Sequence, residues 1–159
     1  KTGHSLIKAK MKETHAELAG EMSGHFFFAE RWFGFDDGIY AAARLLEILA
    51  AAPEGIQAVF DALPCSESTP ELKVELQEGE QHAFIERFVA KAQFEGARIN
   101  TIDGIRADWP DGWGLVRASN TTPVLVLRFE AESRDRLTQI QQVFREQLLS
   151  VNPGLTLPF

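Results

Sequence analysis

An α/β block followed by an α+β sandwich is the fold that this sequence predicts. Three observations predict it. Between residues 1 and 64, a strand-prone Phe26-Phe27-Phe28 run is followed by apolar residues at helical spacing. Pro64 to Pro70, with two prolines and small polar residues, reads as a linker between two periodic blocks. Beyond it the pattern runs strand, helix, four strands, helix, which places the helices on one face of an antiparallel sheet.

The elements follow in order. Ser5 to Thr14 reads as a helix with Lys8, Lys10 and Lys12 on wet positions. Glu17–Glu21 and His25–Glu30 read as short strands around Ser23 and Gly24, and the three phenylalanines suggest burial on both faces. Asp36 or Asp37 can cap the next helix, whose apolar positions are Ile39, Ala42, Ala43, Leu46, Leu49 and Ala50. Pro53 breaks it and opens a short helix carrying Ile56, Val59, Phe60 and Leu63. In the second block, Leu72, Val74 and Leu76 alternate with charged residues, as in a half-buried strand. A helix follows with Phe84, Ile85, Phe88, Val89 and Ala92 on one face. Arg98–Ile102, Gly104–Trp109, Trp113–Ala118 and Val124–Glu130 read as strands. Trp109-Pro110-Asp111-Gly112-Trp113 is a hairpin turn in which Pro presets φ and Gly tolerates a positive φ. A last helix from Ser133 carries Leu137, Ile140, Phe144 and Leu148.

The chain has 159 residues, of which 45% are hydrophobic and 25% charged, so disordered, collagenous and coiled-coil classes are excluded. Sixteen basic against 23 acidic side chains give a net charge of -7, which disfavours nucleic acid and anionic membrane as partners. Cys65 is the only cysteine, so neither an intrachain disulfide nor a thiolate cluster can form, which fits a reducing compartment. The longest apolar stretch, Ile39 to Ala52, is interrupted by Arg44 and Glu47 and is too short to span a bilayer. The chain opens at Lys1 without an initiator Met, and it reads like an interior stretch of a longer protein.

Two loops carry candidate chemistry. Gly20-Glu21-Met22-Ser23-Gly24-His25 places a carboxylate, a hydroxyl and an imidazole on one turn. Glu21 can accept from two hydroxyls, Gly24 admits close backbone approach, and His25 can move a proton near neutral pH. The group reads either as a cradle for a polyhydroxylated ligand or as a plain hairpin. Arg117-Ala118-Ser119-Asn120-Thr121-Thr122-Pro123 offers a guanidinium fork, neutral donors and turn N–H groups, a set suited to phosphate. It reads equally as a Ser/Asn/Thr turn beside a surface arginine. His4 lies at a helix start. His15 and His82 carry no assignment. Trp32, Trp109 and Trp113 read as packing or turn residues. The four histidines are scattered without zinc spacing, so no metal ligand is assigned. Asp36 and Asp37, beside Gly38 and a helix, read as a cap and its neighbour.

Lys1-Thr2-Gly3-His4-Ser5, Gly20-Glu21-Met22-Ser23-Gly24-His25, Arg31-Trp32-Phe33-Gly34-Phe35-Asp36-Asp37-Gly38 and the stretch from Gly114 to Pro123 resemble the α-D-phosphohexomutase superfamily. Within it they are most similar to the bacterial phosphomannomutase/phosphoglucomutase branch of alginate (exopolysaccharide) and lipopolysaccharide biosynthesis. The resemblance implies an α/β remnant, residues 1–64, from the end of a third domain with its sugar-binding loop. It implies that residues 65–159 form a fourth domain with a phosphate-binding loop, built as a four-stranded antiparallel sheet with two helices, TATA-box-binding-protein-like.

By the same resemblance, Glu21 and Ser23 hold sugar hydroxyls, and His25 is both ligand and catalytic proton carrier. His4 reaches the substrate. Arg117, Ser119, Asn120 and Thr121 grip the phosphate that is not transferred, while Met22, Gly24 and Ala118 belong to the two loops through their backbones. The family's phosphoserine loop and Asp-Gly-Asp-Gly-Asp magnesium loop have no counterpart in this sequence. The implied protein is therefore an isomerase of which this chain is the C-terminal part. It interconverts mannose or glucose 1-phosphate and 6-phosphate in the cytoplasm, with Mg2+ held outside this chain, glucose 1,6-bisphosphate as activator, and the N-terminal domains of the same protein as partners. The alternative is a non-catalytic sugar-phosphate or anion-binding module.

Overall fold

A computed structural model describes residues Lys1–Phe159, and the chain divides into two compact units, Lys1–Pro64 and Cys65–Phe159. In the first unit, helix α1 (His4–Thr14) precedes the antiparallel ribbon β1 (Leu18–Gly20) and β2 (Phe26–Phe28), followed by α2 (Gly38–Ala50) and α3 (Ile56–Asp61). Leu18 pairs with Phe28 and Gly20 with Phe26, so the ribbon turns through Glu21–His25.

Only the middle phenylalanine is enclosed on this ribbon. Phe27 is 0% exposed but Phe26 is 44% exposed, which corrects the expectation of burial on both faces. The physical reason is that a two-stranded ribbon has alternating faces and too little width to sandwich both. Asp37 is the cap of α2, and its carboxylate accepts from the N–H groups of Ile39 and Tyr40. The packed face of α2 also differs from the expected apolar stripe. Tyr40 meets the Phe28 ring edge-on at 5.4 Å, and the Arg44 guanidinium lies 4.8 Å over the same ring. Ile39 and Leu46 stay exposed.

Arg44 joins a small charge network. It donates to Glu30 at 2.7 Å and to Glu47 at 3.1 Å, and Arg31 donates to both acids. The hydrogen bond from Arg44 holds Glu30 below the usual carboxylate range, and that from Arg31 does the same for Glu47. This anchors α2 to the stretch after β2 and so fixes the approach to Asp36 and Asp37.

The second unit holds β3 (Glu67–Ser68), β4 (Leu72–Glu75), α4 (Glu80–Lys91), β5 (Arg98–Asn100), β6 (Ile105–Trp109), β7 (Gly112–Ala118), β8 (Val124–Ala131) and α5 (Arg134–Val151). All pairings are antiparallel, in the order β3-β8-β7-β6-β5, with β4 also on β8. Because β7 fills one edge of β8, β3 and β4 share the other. The expected four-stranded sheet is thus corrected to six strands in five positions.

The extra strand β3 also corrects the linker. Pro64–Pro70 does not run free: Ser66 donates to Glu130, and Thr69 exchanges two hydrogen bonds with the backbone of Phe129. A short extended segment between prolines can still pair at a sheet edge, because its remaining N–H groups need partners.

The core lies between the sheet and α4 and α5. Phe84 and Phe88 of α4, Ile140, Phe144 and Leu148 of α5, and Leu125, Leu127 and Phe129 of β8 are all 0–1% exposed. Phe144 packs 4.5 Å from the Phe94 ring and 5.2 Å from that of Phe129. Gly114 and Gly112 make room for α5. A methyl group at Gly114 would lie 2.4 Å from Phe144, and one at Gly112 would lie 2.7 Å from Ile140. Gly112 does not have a positive φ, so its role in the hairpin is space rather than the conformational freedom that the turn motif suggested.

Candidate hydroxyl- and phosphate-recognition loops

In the first unit, the loop Glu21–His25 closes on itself. The Glu21 N–H donates to the His25 carbonyl at 2.9 Å, and the Gly24 N–H donates to the Glu21 carbonyl at 2.9 Å. Gly24 has φ 87°, so the turn needs a residue without a Cβ penalty. Met22, Ser23, Gly24 and His25 are all exposed, with the Ser23 hydroxyl making no hydrogen bond within the chain.

The start of α1 is tied to this loop. Gly3, the residue before His4, donates its N–H to Glu21 Oε2 at 3.2 Å. His4 is exposed at the first position of the helix. The structure therefore brings His4, Glu21, Ser23 and His25 to one end of the first unit, although 17 positions of sequence separate His4 from Glu21. One Glu21 oxygen serves the backbone and the other remains available as an acceptor.

Sequence reasoning missed Asp36. The sequence offers the residue only as a helix cap or the neighbour of one. The structure pairs its Oδ2 with His25 Nδ1 at 2.7 Å. A backbone bridge between Phe27 and Asp36 brings the two side chains together. An ionised carboxylate only accepts, so Nδ1 carries the proton and Nε2 is left free. Nothing in the spacing of 11 residues between His25 and Asp36 signals the pair, which depends on the chain doubling back past β2. Trp32 is a packing residue: it stacks on Tyr40 at 4.3 Å and donates to Asp37.

In the second unit, the loop from Arg117 to Pro123 joins β7 to β8. Ser119 organises it. Its N–H donates to the Val124 carbonyl, and its hydroxyl accepts from the N–H groups of Thr121 and Thr122 at 3.3 and 3.2 Å. Ser119 is 7% exposed and its Oγ lies 2.9 Å from the Thr122 hydroxyl, so this side chain also holds the loop together. Asn120 and Thr121 are exposed at the tip. Arg117 is half-buried at the end of β7, and its one hydrogen bond is a 3.4 Å donation to the Ala118 carbonyl. A guanidinium with no carboxylate partner thus heads a turn of hydroxyls and amides, which can close on an anion.

Both units of the chain match a known family. Residues 1–65 match the family model described as phosphoglucomutase/phosphomannomutase, alpha/beta/alpha domain III, and residues 71–147 match that of the C-terminal domain. The chain is 60% identical over 159 residues to a phosphomannomutase/phosphoglucomutase of Pseudomonas aeruginosa, covering 100% of this chain and 34% of that protein. It is 59% identical over 160 residues to a phosphoglucomutase of Neisseria gonorrhoeae, covering 99% of this chain and 34% of that protein. A crystal structure of a phosphoglucomutase/phosphomannomutase family protein from Burkholderia thailandensis superposes with a TM-score of 0.91 at 54% identity, covering 100% of this chain and 33% of the other. The chain spans about a third of the length of these relatives. With both of its units matched, the chain belongs to the phosphoglucomutase/phosphomannomutase family, as the segment comprising domain III and C-terminal domain sequence.

Proposed function

We propose that this chain supplies a hydroxyl-recognition loop and a phosphate-recognition loop to a phosphohexomutase. The reaction is interconversion of a hexose 1-phosphate and its 6-phosphate through a bisphosphorylated sugar. The observation that carries the reading is Arg117: a half-buried guanidinium without a carboxylate partner, heading a loop of exposed polar residues on a chain of net charge -7. A bisphosphorylated intermediate must be held in two orientations, so recognition needs one element for phosphate and another for hydroxyls common to both orientations. Asn120, Thr121 and the turn amides suit the first, and Glu21, Ser23 and His4 suit the second. His25 is the proton carrier, and Asp36 is its positioning residue.

No cluster of three or more His, Cys, Asp or Glu side chains could hold a metal ion in this chain. These residues therefore do not make a magnesium site, and in the whole enzyme Mg2+ would rest on side chains outside this segment. Glucose 1,6-bisphosphate fits the reading as activator, since it is the intermediate itself. No helix is long and apolar enough to cross a membrane.

The test replaces the equivalent third of the Pseudomonas aeruginosa protein with this segment. The chimera is expected to convert glucose 1-phosphate to glucose 6-phosphate with Mg2+ and glucose 1,6-bisphosphate, while the 159-residue chain alone does not. A folded chimera that binds hexose phosphate without turnover would favour the non-catalytic binding module instead.

Two variants of the chimera probe the first loop. Glu21→Gln keeps an acceptor for the Gly3 N–H but loses the charge, so KM should rise about fivefold with the melting temperature unchanged. A lower melting temperature with normal kinetics would make Glu21 structural. Asp36→Asn leaves an amide that no longer fixes the imidazole tautomer, so kcat should fall about tenfold with little change in KM. A rise in KM alone would place His25 in binding rather than proton transfer.

A further inference from the structure

The sheet of the second unit has two unlike faces. Leu125, Leu127 and Phe129 point toward α4 and α5, together with Val116 and Ala118 of β7. Because side chains alternate along a strand, Leu115 and Arg117 of β7 and Val126 and Arg128 of β8 lie on the other face. No helix of this unit covers that face. The register sets Arg117 opposite Val126 and Leu115 opposite Arg128. Arg117 and Arg128 are therefore diagonal neighbours, whose Cβ atoms stand within roughly 7–8 Å of each other. Both side chains are long enough to meet over that gap.

Arg128 is the anomaly on this face. It makes no ion pair, and its Nε is buried with no hydrogen-bond partner. Arg106, the other arginine beside Leu115, is by contrast satisfied: it forks onto Asp108 at 2.8 and 2.9 Å and stacks 3.9 Å from the Trp113 ring. A buried, charged N–H left unpaired is costly, and folded proteins rarely keep one without a use. Two uncompensated guanidiniums on diagonal positions also repel each other, and an anion held by their terminal nitrogens relieves that repulsion.

We infer that Arg128 is a second anion-binding arginine, which joins Arg117 in holding the phosphate dianion at the loop and extends that site along the face of the sheet that carries Arg117. The inference rests on the phosphate reading of the Arg117 loop and adds a residue that lies outside the loop motif. A hexose phosphate places its phosphate between the two forks, with the loop amides on the remaining oxygens. Arg128→Lys keeps the charge but loses the planar fork of terminal nitrogens.

The experiment is a phosphorus NMR titration of the whole 159-residue chain with inorganic phosphate, and separately with glucose 1-phosphate, alongside thermal melting. Arg128→Gln is expected to weaken both probes about tenfold, and Arg128→Lys about threefold. The melting temperature without phosphate should be unchanged or higher in Arg128→Gln, since an unpaired cation is removed, while the rise in melting temperature on adding phosphate should shrink. If Arg128→Gln binds as tightly as the wild type while Arg117→Gln loses affinity, Arg128 is not in the site and the loop reading stands. If neither change matters, or the wild type binds neither probe, the loop reading itself fails and takes this inference with it. A melting temperature that falls with affinity intact makes Arg128 a packing residue and overturns the assignment. Should Arg128→Gln fail to fold, Arg128→Lys decides alone: wild-type affinity in that variant overturns the paired-fork site.

Discussion

Replacing Arg117 with Ala is expected to weaken hexose-phosphate binding at least about tenfold, the largest effect of any single change in the loop. Charge-assisted hydrogen bonds contribute about 1.5–3 kcal/mol each, and Arg117 can present two of them in a fork. The unliganded side chain gives up little on binding, because its one hydrogen bond is a 3.4 Å donation to the Ala118 carbonyl. Arg117→Lys should recover only part of the loss, since an ammonium is a point charge without the fork. Ser119→Ala should act differently. Its hydroxyl holds the N–H groups of Thr121 and Thr122 in place, so the variant loosens the turn rather than removing a ligand group. Phosphorus NMR with glucose 1-phosphate separates these cases. Affinity unchanged in both Arg117 variants would remove Arg117 from the site.

Much of this arrangement was legible in the sequence, because its signals are local. The helices of the second unit follow from apolar spacing, as at Phe84, Ile85 and Phe88, or at Ile140, Phe144 and Leu148, all of which are buried. The start of α5 at Ser133 was legible, and the structure makes Ser133 its cap, accepting from the Arg136 N–H. The two loops stand between strands where turn residues placed them. What escaped depends on contacts between residues far apart in the chain. The Glu67–Ser68 strand exists because β8 offers it an edge, and no two-residue segment announces that. The His25–Asp36 pair needs the Phe27–Asp36 bridge, which periodicity cannot show. On α2 the apolar stripe pointed to the wrong face. Arg44 packs on Phe28 because a guanidinium can lie flat over a ring while its nitrogens pair with Glu30 and Glu47.

Gly104→Ala is expected to cost the second unit about 2–5 kcal/mol, the sum of a left-handed backbone penalty and an overpacking penalty. Gly104 has φ 75°, and a methyl group there would stand 2.1 Å from the Val116 carbonyl oxygen and 2.7 Å from the Arg117 Cα. Neither is the end of a flexible side chain, so the strands β6 and β7 must part locally. Gly79→Ala is the control. Its φ is 84°, yet nothing lies within 4 Å of the added methyl, so it carries the backbone penalty alone, about 1–2 kcal/mol. The difference between the two melting temperatures isolates the clash, and it should be at least about 5 °C for a unit of this size. The consequence reaches the site, because the backbone that must move belongs to Arg117 itself. Gly104→Ala should therefore weaken phosphate binding even at a temperature where the unit remains folded, whereas Gly79→Ala should not. Equal melting temperatures for the two variants would show that β7 yields without strain at this point. Lowered stability with unchanged phosphate affinity would show that the Arg117 side chain reaches its ligand without depending on where β6 holds its backbone.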